Sequence, residues 1–227
     1  MGAFPEGSAV IFCEGAFGTP YGKTAHGLVR RTKRYTILSV IDSTKAPDDS
    51  GEVLDGRTNN IPIYSRLQQA LDGAKKKGQK PTHFVIGFAP DGGRLGKEHR
   101  EAVREAIKAG LHIDSGLHDF LSEDPEFKRL AAQKEVRVRD VRMTPPRDRL
   151  HFFSGKINEV TSLKVAVLGT DSAVGKRTTA WLLIDAFQQK GYTAELVGTG
   201  QTAWMQGAGY TIMLDSLIND FVSGEIE

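Results

Sequence analysis

The sequence predicts an α/β fold built on parallel sheets, and three observations lead there. Short apolar runs alternate with helical patterns through the first half, the order made by strands joined through crossover helices. A polar, proline-rich connection, Thr144-Pro145-Pro146-Arg147-Asp148-Arg149, divides the chain. It places one domain over 1–146 and a second over 147–227. The second opens with an apolar run, Leu163 to Leu168, that leads into the glycine-bounded loop Gly169-Thr170-Asp171-Ser172-Ala173-Val174-Gly175-Lys176.

Taken in order, Ala9 to Cys13 is the first predicted strand, and the glycine-rich segment Glu14 to Lys23 follows it. Thr24 to Arg31 reads as a helix, and Tyr35 to Ile41 as a strand ending at Asp42-Ser43. Ile61 to Tyr64 is a short strand or turn before a helix over Ser65 to Lys77. Thr82 to Gly87 is a strand, Ala89-Pro90-Asp91-Gly92-Gly93 its loop, and Lys97 to Ala109 a helix closed by Gly110. Leu111 to Asp114 is strand-like, Asp124 to Lys134 helical, and Val136 to Val141 the last strand of this half. In the second half a continuous strand is expected over Leu163 to Leu168 and a helix over Arg177 to Lys190. A strand over Ala194 to Gly198 and a helix over Leu214 to Val222 complete the pattern.

Composition narrows the function classes. The 227 residues can bury a substantial core, and 39% of them are hydrophobic. Thirty basic residues against 28 acidic ones leave a net charge of +2, which offers no electrostatic basis for nucleic-acid or anionic-membrane binding. The local excess Lys75-Lys76-Lys77 with Lys80 reads as a solvated helix end. One cysteine, Cys13 in an apolar run, excludes an intrachain disulfide and a cysteine zinc cluster. The N-terminal residues lack a signal-peptide pattern, Glu6 stands where a myristoylation signal needs Ser or Thr, and no apolar stretch approaches spanning length. The expectation is a cytoplasmic protein with a small-molecule substrate, without nucleic-acid or membrane partners, and with homo-oligomer formation left open.

The loop at 169–176 carries the strongest chemistry. A strand entering a glycine-rich turn and then a helix aims backbone N–H groups at one point, and the helix N-terminus adds partial positive charge. An oxygen-rich anion binds there, with Lys176 as a point charge on phosphate oxygens. Gly169, Thr170, Ser172, Ala173, Val174, Gly175, Lys176, Arg177 and Thr178 are the expected cofactor-binding residues. Five residues separate Gly169 from Gly175 where the usual P-loop has four, a spacing that resembles dethiobiotin synthetase. Arg177 stands where a Ser or Thr would hold Mg²⁺, which moves the expected metal-ligating hydroxyl to Thr178. Asp171 could orient a substrate ammonium or a metal-bound water, or stabilise the turn. Gly198-Thr199-Gly200-Gln201-Thr202 ends the next strand and is expected to face the P-loop, with Gln201 and Thr202 positioning substrate.

In the first half, a glycine-rich loop after the first strand and Asp42 after the second are the places where a dinucleotide fold holds pyrophosphate and ribose. They support a Rossmann-like fold better than a bound dinucleotide. Ile61-Pro62-Ile63-Tyr64 with Leu67 and Ala70-Leu71, and Phe84 to Gly87 leading to Ala109-Gly110-Leu111, look like CoA-binding Rossmann domains of succinyl-CoA ligases. His26, His118 beside Asp119, and Lys23 are polar candidates on loops.

Several segments resemble one family along nearly the whole chain. They include Cys13-Glu14-Gly15 with Phe17-Gly18-Thr19-Pro20, Lys23 to Gly27, Val40 to Ser43, Gly51 to Gly56, and Ala89-Pro90 with Gly92-Gly93-Arg94-Leu95. Gly116 to Leu121, the loop at 169–176 and Gly198 to Thr202 continue the match. This is similar to the D-glutamate N-acetyltransferase-like family, earlier catalogued as a domain of unknown function. The resemblance implies a Rossmann-like parallel-sheet N-terminal domain followed by a P-loop NTPase-like α/β domain. It also implies acetyl transfer from acetyl-CoA to the amino group of D-glutamate. Such chemistry needs a base to deprotonate the substrate ammonium, for which Asp171 and His118 are candidates, and a partner for the substrate carboxylates, for which Arg94 or Arg177 serve. Family members continue past the position of Glu227, so the second domain is expected to be partial and this chain an inactive fragment. The alternatives are an ATP-dependent ligase or kinase using Mg²⁺, and a non-catalytic nucleotide-binding module.

Overall fold

A computed structural model describes residues 4–171 and 173–227. The chain divides into two compact units: the residues up to Val141 with Met205–Gly207, and Arg142–Trp204 with Ala208–Glu227.

The first unit is a six-stranded parallel sheet of β1 (Gly7–Phe12), β2 (Tyr35–Ile41), β3 (Ile63–Tyr64), β4 (His83–Ile86), β5 (His112–Ser115) and β6 (Val138–Asp140). Its strand order is β3-β2-β1-β4-β5-β6, the doubly wound arrangement of a Rossmann-like domain. The strands read as near-continuous apolar runs because both faces are covered: Val10, Ile11, Phe84, Val85 and Ile113 have no exposed surface. Five helices cross between them: α1 (Lys23–Arg30), α2 (Ser50–Asp55), α3 (Leu67–Lys76), α4 (Lys97–Lys108) and α5 (Pro125–Lys134). The predicted strands and helices of this half are present within one to two residues at most ends. Helix α2 is additional, too short for its periodicity to show. Its limits are nonetheless chemical, since the Asp49 side chain accepts from Gly51 N and Glu52 N and Gly56 closes it at φ +65°.

Toward the N-terminal ends of the strands, one sheet face carries polar groups. The register pairs His83 with His112 and Asp114 with Arg139 on that face. Asp114 is fully buried and receives Arg139 through two nitrogens at 2.7 and 2.8 Å, and the Tyr35 hydroxyl at 2.6 Å. Glu6 joins Arg139 at 2.9 Å and pairs with Arg34. Burial pushes His83 and His112 below the ordinary imidazole value, and does the same for His26 in α1. Unfolding returns each to about 6.5, so the unfolded state takes up protons first as pH falls. Stability from these three histidines is full above that value and is lost as pH drops from it toward their lower folded values. Thermal melts at about pH 7.5 and about pH 5.5 are expected to show a lower midpoint in acid. The double variant His83→Gln/His112→Gln is expected to flatten that slope.

The second unit has less regular structure. Helix α6 (Lys176–Gln189) packs Trp181 and Ile184 against Ala203 and Ala208, with Ala194 and Leu196 at the edge of the cluster. Ala203 belongs to α7 (Gln201–Met205), and a short parallel pair joins β7 (Val197–Gly198) to β8 (Tyr210–Thr211). The strand expected over Leu163 to Leu168 does not pair among the described residues, and Leu163 and Leu168 stand 83% and 86% exposed. A strand is defined by its neighbour, and apolar character alone supplies no ladder. The helix expected over Leu214 to Val222 is replaced by two 3₁₀ turns, Leu214–Ser216 and Asn219–Phe221, followed by α8 (Val222–Ile226). Asp215, Ser216, Asn219 and Asp220 fall inside it, and such side chains compete with the helix for backbone hydrogen bonds.

Candidate functional site

In the first unit the loops after β4 and β5 meet. The turn Gly92-Gly93 carries two residues at positive φ, +69° and +66°, and turns Arg94 outward. Gly93 touches the next loop: a Cβ built there would lie 2.8 Å from Cδ2 of His118. Asp119 N donates to Gly93 O at 3.2 Å. Arg94 and His118 therefore line one cleft of about 410 Å³ with Arg100, Asp119, Glu123 and Asp124. Both are exposed, and Arg94 makes no ion pair among the described residues, which leaves its guanidinium available to a carboxylate.

The loop holding His118 is fixed from several sides. Buried Asp140, the last residue of β6, accepts Leu121 N at 3.0 Å and Ser122 N at 2.8 Å. Arg100 from α4 joins Asp119 at 3.3 Å, pairs with Asp124, and lies 4.7 Å above the Phe127 ring. Sequence reasoning passed over Arg100 and Asp140. The only available signal was an acidic residue ending the sixth strand, where a parallel sheet collects its loops. Gly93→Ala is expected to cost about 1–3 kcal/mol through positive φ and the collision with His118. Urea unfolding would measure the loss, and displaced His118 ring resonances would report the broken juxtaposition.

Asp42, Glu14 and His26 hold the first glycine-rich loop in place, and His26 and Lys23 lie in α1 rather than on a loop. Asp42 is fully buried and accepts Phe17 N at 2.8 Å and both N and Oγ1 of Thr44, at 2.9 and 2.7 Å. Its oxygens are committed to Phe17 and Thr44, so it is not placed as a ribose-binding carboxylate would be. Glu14 in turn accepts Ser43 N, folding the glycine-rich loop onto the end of β2. His26 Nε2 lies 2.6 Å from Phe17 O, and with burial holding the ring neutral it donates there. Cys13 is buried, which pushes its thiol far above the ordinary range and leaves it unreactive. Lys23 opens α1.

In the second unit the loop preceding α6 forms a backbone cradle. Ala173 and Gly175 take φ +58° and +91°, and no side chain caps the N-terminus of the 14-residue helix. A Cβ at Gly169 would meet Val174 Cγ2 at 2.8 Å and Lys176 Cγ at 3.0 Å, so a side chain there would displace both. Lys176 folds back over the loop and donates its Nζ to the Asp171 carbonyl. Thr170 and Val174 flank the turn, and Ser172 lies outside the described residues. Arg177 is half-buried, and desolvation lowers its guanidinium from the usual value. Thr178 is exposed on the first turn of α6. Uncapped N–H groups, positive-φ turns and a glycine packed under Val174 and Lys176 suit a phosphate group.

Gln201 and Thr202 are buried at the start of α7, and their helix shares the Ala203–Trp181 cluster with α6. Gly198 packs a hypothetical Cβ at 2.4 Å from Ala203, which sets the tight turn between β7 and α7.

Comparison with known proteins adds independent evidence. Residues 43–144 match DUF1611_N, described as a Rossmann-like domain of unknown function, and residues 151–227 match DUF1611, described as a P-loop domain. A protein named D-glutamate N-acetyltransferase from Pseudoalteromonas sp is 34% identical over 171 residues, covering 74% of this chain and 49% of that protein. One of the same name from Tritonibacter scottomollicae is 31% identical over 160 residues, covering 70% and 46%. The crystal structure of a DUF1611 family protein from Anabaena variabilis superposes with a TM-score of 0.85 at 30% identity, covering 96% of this chain and 60% of that one. The chain thus spans about half the length of the curated relatives it matches.

Proposed function

The chain belongs to the DUF1611 family, carrying both its Rossmann-like and its P-loop domain, and from that premise we propose that it serves N-acetylation of an acidic amino acid such as D-glutamate, with acetyl-CoA as donor. The observation that carries the reading is its 34% identity, over 74% of its length, with a protein of that activity by name. The geometry supports it at each unit. The loop at 169–176, with Lys176, is shaped for phosphate, and CoA bears a diphosphate and a 3′-phosphate. The donor, when bound, supplies an activated acyl group. Arg94 is poised for a substrate carboxylate, and His118 in the same cleft is the group to take the proton from the ammonium, whose nitrogen attacks only when neutral. Asp171 is the second candidate base, its backbone carbonyl already occupied by Lys176. Gln201 and Thr202 are proposed to position substrate, and Thr178 to serve a metal only in a nucleotide-dependent reaction.

Isothermal titration tests the reading. Acetyl-CoA is expected to give binding heat, and D-glutamate a heat that Arg94→Gln removes. Heat from Mg-ATP with none from acetyl-CoA would overturn the reading and move the protein to the ATP-dependent ligases and kinases.

A further inference from the structure

A second crevice of the first unit is lined by neither Arg94 nor His118. It measures about 460 Å³ and lies where Phe12 and Ile41 end β1 and β2, with Phe84 of β4 beneath. The chain leaves β1 toward β2 on one side, while β4 flanks β1 on the other, so this is the switch point of the sheet, where open α/β folds take ligands. Volume, an apolar base and a few polar groups at the rim are the attributes of a small-molecule site.

Charges of opposite sign stand on the α3 and α4 walls, and a further carboxylate, Glu14, lines the crevice while held by Ser43. One wall is the start of α3, where Arg66 is the N-cap residue and no side chain caps the 10-residue helix. The other is α4, where Glu98, Ala102 and Glu105 fall at i, i+4 and i+7 and share a stripe. Arg66, Glu98 and Glu105 enter no ion pair or side-chain hydrogen bond among the described residues. Ala102 leaves space between the two carboxylates. The base is aromatic: Phe12 and Phe84 stack at 5.2 Å, and His99 meets Phe12 edge-on at 5.8 Å. His99 Nδ1 is buried without a hydrogen-bond partner, a cost that native interiors seldom carry without a role.

We propose that this crevice binds a free α-amino acid with an apolar side chain, in addition to the acceptor proposed for the Arg94–His118 cleft. The ligand carboxylate lies at Arg66 and the open end of α3, its ammonium between Glu98 and Glu105, and its side chain over Phe12 and Ile41. A dicarboxylate is disfavoured because its second charge would face the apolar base. The inference does not depend on the acetyl-transfer reading, since it needs neither the P-loop nor Arg94.

Titration of D- and L-phenylalanine into the full chain tests it, followed by heat and by amide shifts of α3 and α4. Saturable binding is expected for at least one enantiomer. Arg66→Gln and Glu105→Gln are each expected to weaken it about tenfold, and Ala102→Leu, which fills the space at a helix position suited to leucine, to abolish it. Hydrocinnamate and phenethylamine, lacking the ammonium and the carboxylate, are expected to bind at least about tenfold more weakly. Circular dichroism checks that each variant is folded. Absence of saturable binding to the wild type would overturn the proposal, as would affinity unchanged in folded Ala102→Leu. Equal affinity for hydrocinnamate, or binding of adenosine at the same amides in place of the amino acid, would overturn it too. D-glutamate and acetyl-CoA titrations of the same variants stay unchanged if the two readings are separate.

Discussion

Replacing Lys176 with alanine is expected to weaken acetyl-CoA binding by about ten- to a hundredfold, the cost of one charge-assisted contact to phosphate. The side chain already follows the path such a contact needs. Its Cγ would lie 3.0 Å from a Cβ at Gly169, and its Nζ reaches the Asp171 carbonyl within the same loop. A phosphate entering the cradle exchanges that neutral carbonyl for an anionic oxygen, so the lysine moves little and the interaction strengthens. Alanine at the first position of α6 is a good helix former and leaves the backbone N–H groups and the helix end in place. Residual binding in the variant therefore measures the cradle alone, and the difference measures the ammonium. Gly169→Ala should produce a comparable loss by another route, since its methyl group displaces both Val174 and Lys176. Isothermal titration reads all three proteins. Unchanged affinity in Lys176→Ala would place the cofactor phosphates elsewhere and remove the P-loop from the proposed reaction.

The first unit was legible in sequence because each of its signals is local. Apolar runs such as Val10 to Phe12 and Val85-Ile86 are short, bounded by glycine or acid, and separated by helical patterns, which in a parallel sheet is nearly sufficient. The functional groups were less legible. Arg94 and His118 are 24 positions apart, and only the approach of Gly93 to His118 shows that they share a cleft. Asp42 misled for the opposite reason. Its place after the second strand matches a ribose-binding carboxylate, yet its hydrogen bonds to Phe17 and Thr44 make it the clasp of the first loop. A motif position specifies where a side chain stands, while its partners decide what it does.

The second unit shows a different limit. Leu163 to Leu168 reads as a buried strand on composition alone, but a strand is buried only by neighbours, and among the described residues none pairs with this segment. By contrast the glycine-rich loop formed with positive φ at Ala173 and Gly175 although the preceding segment is unpaired. Turn chemistry is encoded within a few residues; sheet membership is encoded across the whole domain.

Asp114→Ala is expected to be the most destabilising single substitution, costing about 3–5 kcal/mol. The carboxylate has no exposed surface, and one residue serves Arg139 through two nitrogens and Tyr35 through its hydroxyl. Burial alone would lower the Arg139 guanidinium, but Asp114 outweighs it and raises the group above its usual value. Burial and the same carboxylate raise Tyr35 well above the phenol range, keeping it the donor. Alanine would leave the Arg139 cation beside Glu6 without its bidentate carboxylate, and the buried Tyr35 hydroxyl without Asp114 as its acceptor. The loss belongs to the broken pair and not to the pair's own worth, so removing both charges should recover part of it. Asp114→Leu/Arg139→Met is accordingly expected to be more stable than Asp114→Ala. Urea unfolding should be followed by circular dichroism, because Trp181 and Trp204 both lie in the second unit and report on that unit's environment. A loss below about 1 kcal/mol would mean that water reaches the network and screens it like a surface pair. A double variant no better than the single one would mean that Glu6 holds Arg139 without Asp114.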